Sequence, residues 1–256
     1  MLHDLDSDSS KIIEAVRSTG VVVTEAMRLY VDYIVSNMKA IGTWDLCSAV
    51  YGVMGGTAAS HAINWKTIGT YNLTFYNTPT QTSAGILFNG TNQYGDTGLL
   101  PNVILSDLST HLSYYTPTNN ISGVQIPIGV STSATGIKFL QLNFTSANYV
   151  SGGVNSVTAY TPTSTNGYTI GTRTSINTQA VFYKGNKIAS NSYSGDNSLP
   201  VFPIYLGARN NEGSPGGFFF STHTCSFSSI GSGFTDTQAI AQSQIVTNAQ
   251  LILNRA

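Results

Sequence analysis

Charge is what this sequence has least of. Lysine, arginine, aspartate and glutamate make up 9% of 256 residues and sum to a net charge of −1, where about a quarter is usual. A chain so poor in cations carries no electrostatic footprint for a nucleic acid or another polyanion. The few charges are also uneven. Residues 1–70 hold twelve and residues 71–256 hold eleven, so the longer part keeps its surface wet with hydroxyls and amides. Cysteine is nearly absent. Cys47 and Cys225 stand in distant segments and read as two buried thiols, with a disulfide staple as the alternative; neither has metal-site spacing. No run reaches about 18 apolar residues, so no membrane span is expected. The polar, acidic start "MLHDLDSDSS" has no apolar stretch close behind it and does not read as a secretory signal.

Catalytic constellations are missing as well. A glycosidase of the usual kind needs two carboxylates flanking the scissile bond. From residue 71 onward the acids are Asp96, Asp107, Asp196, Glu212 and Asp236, with no two close in sequence. His61, His111 and His223 are scattered, no G-x-S-x-G elbow occurs, and "GVMGG" and "GSG" lack the Lys-Ser/Thr that a phosphate loop requires. The chain therefore reads as a non-enzyme.

Apolar residues, at 41%, are ample for a core. Residues 1–20 read as a short arm. Within it "SSKIIEAVRSTG" offers Ser9 or Ser10 as N-cap, Gly20 as stop, and Ile12, Ile13 and Val16 along one side. Three turns cannot stand alone, so these three residues are expected to anchor or oligomerise. Residues 21–70 form a helical covering segment. Its clearest element spans 24–41, where Met27, Tyr30, Ile34, Met38 and Ile41 recur at helical spacing behind Thr24 and ahead of Gly42. From Tyr71 to the end the period becomes two. "YNLTFYN" sets Tyr71, Leu73 and Phe75 against Asn72, Thr74 and Tyr76; "FLQLNF" and "IYLGA" alternate likewise. Glycine turns punctuate these strands, and Asn89-Gly90 in "GILFNGTNQYGDTGLLPN" reads as a hairpin turn that leaves Leu87 and Tyr94 facing inward. A capping box, Thr235 with Gln238, opens a last helix over 235–254. Many short strands without intervening helices predict an all-β sandwich or jelly roll of antiparallel sheets.

The stretch "ILFNGTNQYGDTGL" resembles the early hairpin of laminin-G-like domains in the concanavalin A-like lectin/glucanase superfamily. "MKAIGTWDLCSAVYGVMGGTAASHAINW", "THLSYYTPTNN", "VFYKGNKIAS", "IYLGARNNEG" and "FSSIGSGFTDTQAIAQSQIVTNAQLILNR" follow an order that resembles bacteriophage structural proteins carrying one such domain. The likeness covers roughly residues 24–255. It implies a concanavalin A-like jelly roll of two antiparallel sheets with flanking N-terminal and C-terminal helices. It also implies a non-enzymatic virion protein: a surface spike, tail fibre or decoration subunit. Such a chain would be exposed on the particle after assembly in a host cytoplasm, associated with other virion proteins, and homo-oligomeric, with a trimer as the guess. A carbohydrate-binding lectin that attaches to a host-surface glycan is the alternative, and a glycoside hydrolase the least favoured.

Ligand-binding candidates are Tyr94, Asp96, Asn210, Asn211 and Glu212, since sugars take an aromatic platform with amides and hydroxyls around it. No cofactor is expected. Calcium is the one ion weighed, with Asp96 and Glu212 as oxygen donors, although Asp and Asn are ordinary turn residues too.

Overall fold

The computed structural model describes residues 5–133, 138–144, 148–153, 157–159, 163–192 and 198–255. The chain opens with α1 (Ser7–Ser18), α2 (Glu25–Ala40), β1 (Cys47–Tyr51) and α3 (Ala58–His61). Next come β2 (Thr74–Tyr76), β3 (Thr80–Thr82), β4 (Gly85–Leu87), β5 (Tyr94–Asp96), α4 (Pro101–Ile104), β6 (Thr110–Thr116) and β7 (Ile128–Thr132). The middle holds β8 (Lys138–Asn143), β9 (Asn148–Gly153), β10 (Val157–Ala159), β11 (Gly167–Ser175), β12 (Thr178–Tyr183) and β13 (Asn186–Asn191). It closes with β14 (Tyr205–Leu206), β15 (Ala208–Asn211), β16 (Ser214–Phe220), β17 (Phe227–Gly231) and α5 (Asp236–Ile252).

Six strands pair in the order β1-β17-β6-β11-β12-β13. A larger, curled sheet runs β10-β9-β8-β7-β14-β5-β2, with β15 and β16 attached beside β7. Between the sheets lies one apolar core. Leu112, Tyr114, Val181 and Ile230 come from the smaller sheet, and Ile128, Val130, Leu140, Leu142 and Leu206 from the larger. A second core fills the other side of the smaller sheet, where Tyr115, Tyr168, Ile170, Phe182 and Phe227 meet Tyr30, Ile34 and Met38 of α2 and Val246 and Ala249 of α5.

The expectation of an all-β jelly roll is therefore corrected to a mixed α/β fold. The helices are a packed third layer with a core of their own. The cause is visible in β6, where all seven residues of "THLSYYT" are buried. A strand covered on both faces must have something laid across its outer side, and here that is helix. The sheets are not wholly antiparallel either, since β15 runs parallel to β7 at Arg209–Asn211.

Local signals explain the helices. Thr24 Oγ1 accepts from Met27 N at the start of α2, and the Thr235–Gln238 box caps α5. For α1 the cap is Asp6, whose carboxylate accepts from Asp8 N, and not Ser9 or Ser10. Ile12, Ile13 and Val16 are buried in the same core as α2 and α5, so none is free to anchor the chain elsewhere. Residues 1–20 are, over their described part, one wall of the helical layer. Asn89-Gly90 is not a hairpin turn between β4 and β5. Strand β4 pairs with β3, β5 joins the large sheet, and Asn89 Oδ1 instead gathers the N–H groups of Thr91, Asn92 and Gln93. Leu87 is consequently exposed, while Tyr94 points to the outer face of the large sheet.

Cys47 and Cys225 are free thiols, both buried. Burial pushes each up to about 12, which keeps them protonated and inert.

Candidate functional site

Among the described residues the helices pack on the smaller sheet and not on the outer face of the large one. Register determines what stands there. Tyr76 is the ladder partner of Tyr94, Asp96 of Tyr205, and Tyr205 of Gly129. Leu206 and Ile128, their neighbours in sequence, point the other way into the inter-sheet core. Three tyrosines from three adjacent strands thus stack in a row. Tyr76 lies 4.7 Å from Tyr94 with 7° between planes, and Tyr94 lies 4.5 Å from Tyr205 at 24°. With Ala208 and Phe220 the inner two form an apolar cluster separate from both main cores.

Strand β2 ends the sheet. Tyr94 covers one face of the Tyr76 ring, and the residue is still 42% exposed, so its free face looks outward beyond the sheet edge. The segment after it is latched in place: Asn77 Nδ2 donates to Asn92 O, and Gln93 Nε2 donates to Asn77 O and Thr78 O. The platform is held rigid from behind and from below.

Polar groups border the row. Asp96 Oδ1 accepts from Gly98 N at 2.8 Å. Burial raises its carboxyl above the ordinary value, against the pull of that hydrogen bond. Burial, then the Asp96 charge, pushes the Tyr205 phenol up; burial, then Tyr76 and Asp96, does the same to Tyr94. Both phenols are therefore neutral hydrogen-bonding groups at ordinary pH. On the far side Arg209 lies flat over the Phe219 ring, 3.5 Å from its centroid, and donates to Gln141 Oε1 at 3.3 Å. Desolvation lowers its guanidinium to about 10. Gly129 is the ladder partner of both Tyr205 and Arg209. A Cβ there would come within 2.5 Å of Gln141 Cβ, so only glycine keeps this stretch of the face flat.

Of the residues singled out in the sequence, Tyr94 and Asp96 belong to this row. Asn210, Asn211 and Glu212 do not. Asn210 is fully buried, donating to Pro203 O and accepting from Gly213 N. Asn211 Oδ1 accepts from Ser131 Oγ, and Glu212 Oε1 accepts from Ser133 N and Oγ. All three hold the β15–β16 turn against the end of β7. Asp96 lies on β5 and Glu212 directly after β15, strands that do not pair with each other: β5 pairs with β2 and β14, and β15 with β7 and β16. Among the described residues no three or more His, Cys, Asp or Glu groups gather as a metal site.

His61, His111 and His223 are buried. His111 hydrogen-bonds Ser232 O and Ser229 Oγ beneath α5, and His223 bonds Ser221 and Thr165. Burial pushes both, and His61, to about 4, so they are neutral packing groups.

Three further site residues, Tyr76, Tyr205 and Arg209, escape a sequence reading. The alternation of "YNLTFYN" and "IYLGA" does put Tyr76 and Tyr205 opposite the core-facing residues. What it does not tell is that their strands are separated only by β5.

No protein-family model and no curated protein matches the chain. Solved structures do. A mutant of Trypanosoma rangeli sialidase displaying trans-sialidase activity superposes with a TM-score of 0.53 at 12% identity, over 87% of this chain and 39% of that one. The same sialidase in complex with 2,3-difluoro-KDN gives 0.52 at 12%, over 88% and 40%. The CBM40 of Ruminococcus gnavus IT-sialidase bound to α2,3-sialyllactose gives 0.45 at 14%, over 62% and 96%. This chain thus spans about two fifths of the length of the sialidases it matches. At such identity the likeness is one of fold.

These matches correct the viral expectation. The fold shared with the two sialidases overturns that expectation, and the virion location, the virion partners and the spike or fibre role are withdrawn with it. The expectation of a non-enzyme is withdrawn with them: sparse acids exclude nothing in a fold that sialidases share. No helix among the described residues is long and apolar enough to cross a membrane.

Proposed function

We propose that this chain binds carbohydrate on the outer face of its large sheet. The observation that carries the proposal is the stacked row Tyr76–Tyr94–Tyr205, with one exposed aromatic face at its end. A pyranose presents an apolar patch of C–H groups that packs on such a ring, and Asp96, the ladder partner of Tyr205, adds a carboxylate further along the same face. Two rings already stacked behind Tyr76 remove the entropy cost of fixing it on binding. The sialidase folds support the substrate class. A second reading, hydrolysis of a glycoside at the same face, is favoured by Asp96, since a carboxyl whose proton is held to higher pH beside a phenol suits a general acid.

An array of neutral and sialylated oligosaccharides, followed by calorimetry on the best binder, tests this. Saturable binding is expected, with Tyr76→Ala weakening it about tenfold or more and Tyr76→Phe leaving it nearly intact. Equal affinity of wild type and Tyr76→Ala would remove the site from this face. Free reducing sugar appearing in the same mixtures, and lost in Asp96→Asn, would favour the hydrolytic reading.

A further inference from the structure

A cleft of about 580 Å³ opens on the opposite side of the molecule, between α5 and the ends of β6, β11 and the β12–β13 turn. Its size falls in the range of small-molecule sites. The walls are partly apolar: Tyr115 and Pro117 from the end of β6 and Ile240 from α5. Gln244, Thr247 and Asn248 of α5 supply polar edges.

Its charge is one-sided. Arg255 and Lys184 line it, and among the described residues no aspartate or glutamate does. Arg255 is only 8% exposed. Its Nη1 donates to Val53 O at 2.7 Å, its guanidinium carbon sits 5.8 Å from the Tyr30 ring centroid, and its buried Nε bonds nothing among the described residues. The hydrogen bond to Val53 explains an anchoring donor but not a charge, because a neutral amide could donate there as well. A desolvated cation is normally paired, and no carboxylate among the described residues pairs with this one. Lys184, held at a φ of 50° in its tight turn, brings its ammonium to Asn166 Oδ1 at 3.2 Å, adding a second positive charge at the mouth.

We propose that this cleft is a binding site for a small organic carboxylate, with its ring or chain against Tyr115, Pro117 and Ile240 and its anionic end against Arg255. The site is separate from the tyrosine row and does not depend on the carbohydrate reading.

Benzoate and its neutral counterpart benzamide are the probes, titrated into the full chain by calorimetry and by two-dimensional NMR. Benzoate should bind at least about tenfold more tightly than benzamide, as a charged hydrogen bond to arginine implies. The shifted amides should be those of Tyr115, Lys184 and Thr247. Arg255→Met should abolish the preference for benzoate, and Thr247→Trp, which fills the mouth, should weaken both probes. Should Arg255→Met not fold, Lys184→Asn, tolerant of the turn's positive φ, should narrow the preference severalfold. Equal binding of the two probes, no binding of either, shifts confined to Tyr76, Tyr94 and Tyr205, or benzoate binding undiminished in Thr247→Trp would each overturn the proposal.

Discussion

The two sheets share one core and differ in what lies on their outer faces. On the smaller, Tyr168, Phe227 and Ile170 are covered by the helical layer. On the larger, Tyr94 and Tyr205 form a small cluster with an exposed ring at its margin. Aromatic residues are plentiful in both places, yet they serve different ends. Under the helices they interlock edge to face, as Tyr168 and Phe227 do at 5.8 Å and 74°, which fills volume. On the open face they stack nearly parallel and present a plane. The rings interlocked under the helices store stability, and those stacked on the open face are available for recognition.

Truncation should separate the two most sharply. Phe227→Ala removes a fully buried ring from the doubly covered sheet and should cost about 3–5 kcal/mol in urea unfolding. Tyr76→Ala, at the exposed edge, should cost about 1 kcal/mol, the value of one stacked pair. Comparable losses at both positions would end the distinction between a structural and a recognition face.

Acid should act on the sheets with opposite sign. Beneath α5 the His111 ring stacks on Phe234 at 3.9 Å and is pushed to about 4 by burial, despite the Ser232 carbonyl that favours its charged form. Between pH 4 and about 6.5 the unfolded chain binds a proton there that the native chain does not. Stability attributable to His111 is therefore full above about pH 6.5 and falls as pH drops toward 4, by at most about 1.4 kcal/mol per unit. Asp96 on the open face has a raised carboxyl, so the native state there binds the extra proton and gains as pH falls. His111→Gln should be less stable than wild type at pH 7 and show a flatter dependence of the urea midpoint between pH 4.5 and 6.5. An unchanged slope would mean that the imidazole is not the acid-sensitive group.

The same contrast explains what was legible beforehand. Helices α2 and α5 announce themselves, because one face of each is apolar at helical spacing and Thr24 and Thr235 are caps with a mechanism. The doubly covered strands are harder. In "THLSYYT", Ser113 and His111 look solvent-facing by polarity, yet both are fully buried, bonded to Ser229 under the helical layer. Alternation predicts half-buried strands and so an all-β fold, whereas β6 is buried on both faces and needs a helical layer across it. Asn89-Gly90 was read correctly as a turn and wrongly as a hairpin. Turn chemistry is local, whereas the partner of β4 is chosen by tertiary packing. For the candidate site, Tyr94 and Asp96 were within reach of sequence reasoning. Tyr76, Tyr205 and Arg209 required strand order, since Tyr76 and Tyr205 meet Tyr94 across gaps of 18 and 111 residues and Arg209 meets Gln141 across 68, which no periodicity spans. Glu212 and Asn210 were attractive as polar loop residues for the reason that makes them structural, namely that short polar side chains satisfy tight turns.

The smallest effect concerns how α1 is held to the sealed side. Lys39 Nζ reaches Asp6 Oδ1 at 2.6 Å and Asp8 Oδ2 at 2.8 Å, joining the start of α1 to the end of α2. Burial works against the charged form of Asp6, but the Lys39 ammonium and neighbouring N–H groups hold it below the usual carboxylate range; Lys39, then Lys11, does the same for Asp8. The stabilisation is thus present above about pH 4 and lost as pH falls below it. All three side chains keep a quarter to a third of their exposure, and water and salt screen such pairs to about 1 kcal/mol or less. Ile12 and Val16, by contrast, are fully buried beneath the same helix. Lys39→Ala should therefore lower stability by no more than about 1 kcal/mol, with most of that loss already gone in high salt, because the attachment of α1 is apolar and the bridge only sets its angle. A loss of several kcal/mol that persists at high ionic strength would reverse that ranking and make the sealed face depend on its few charges after all.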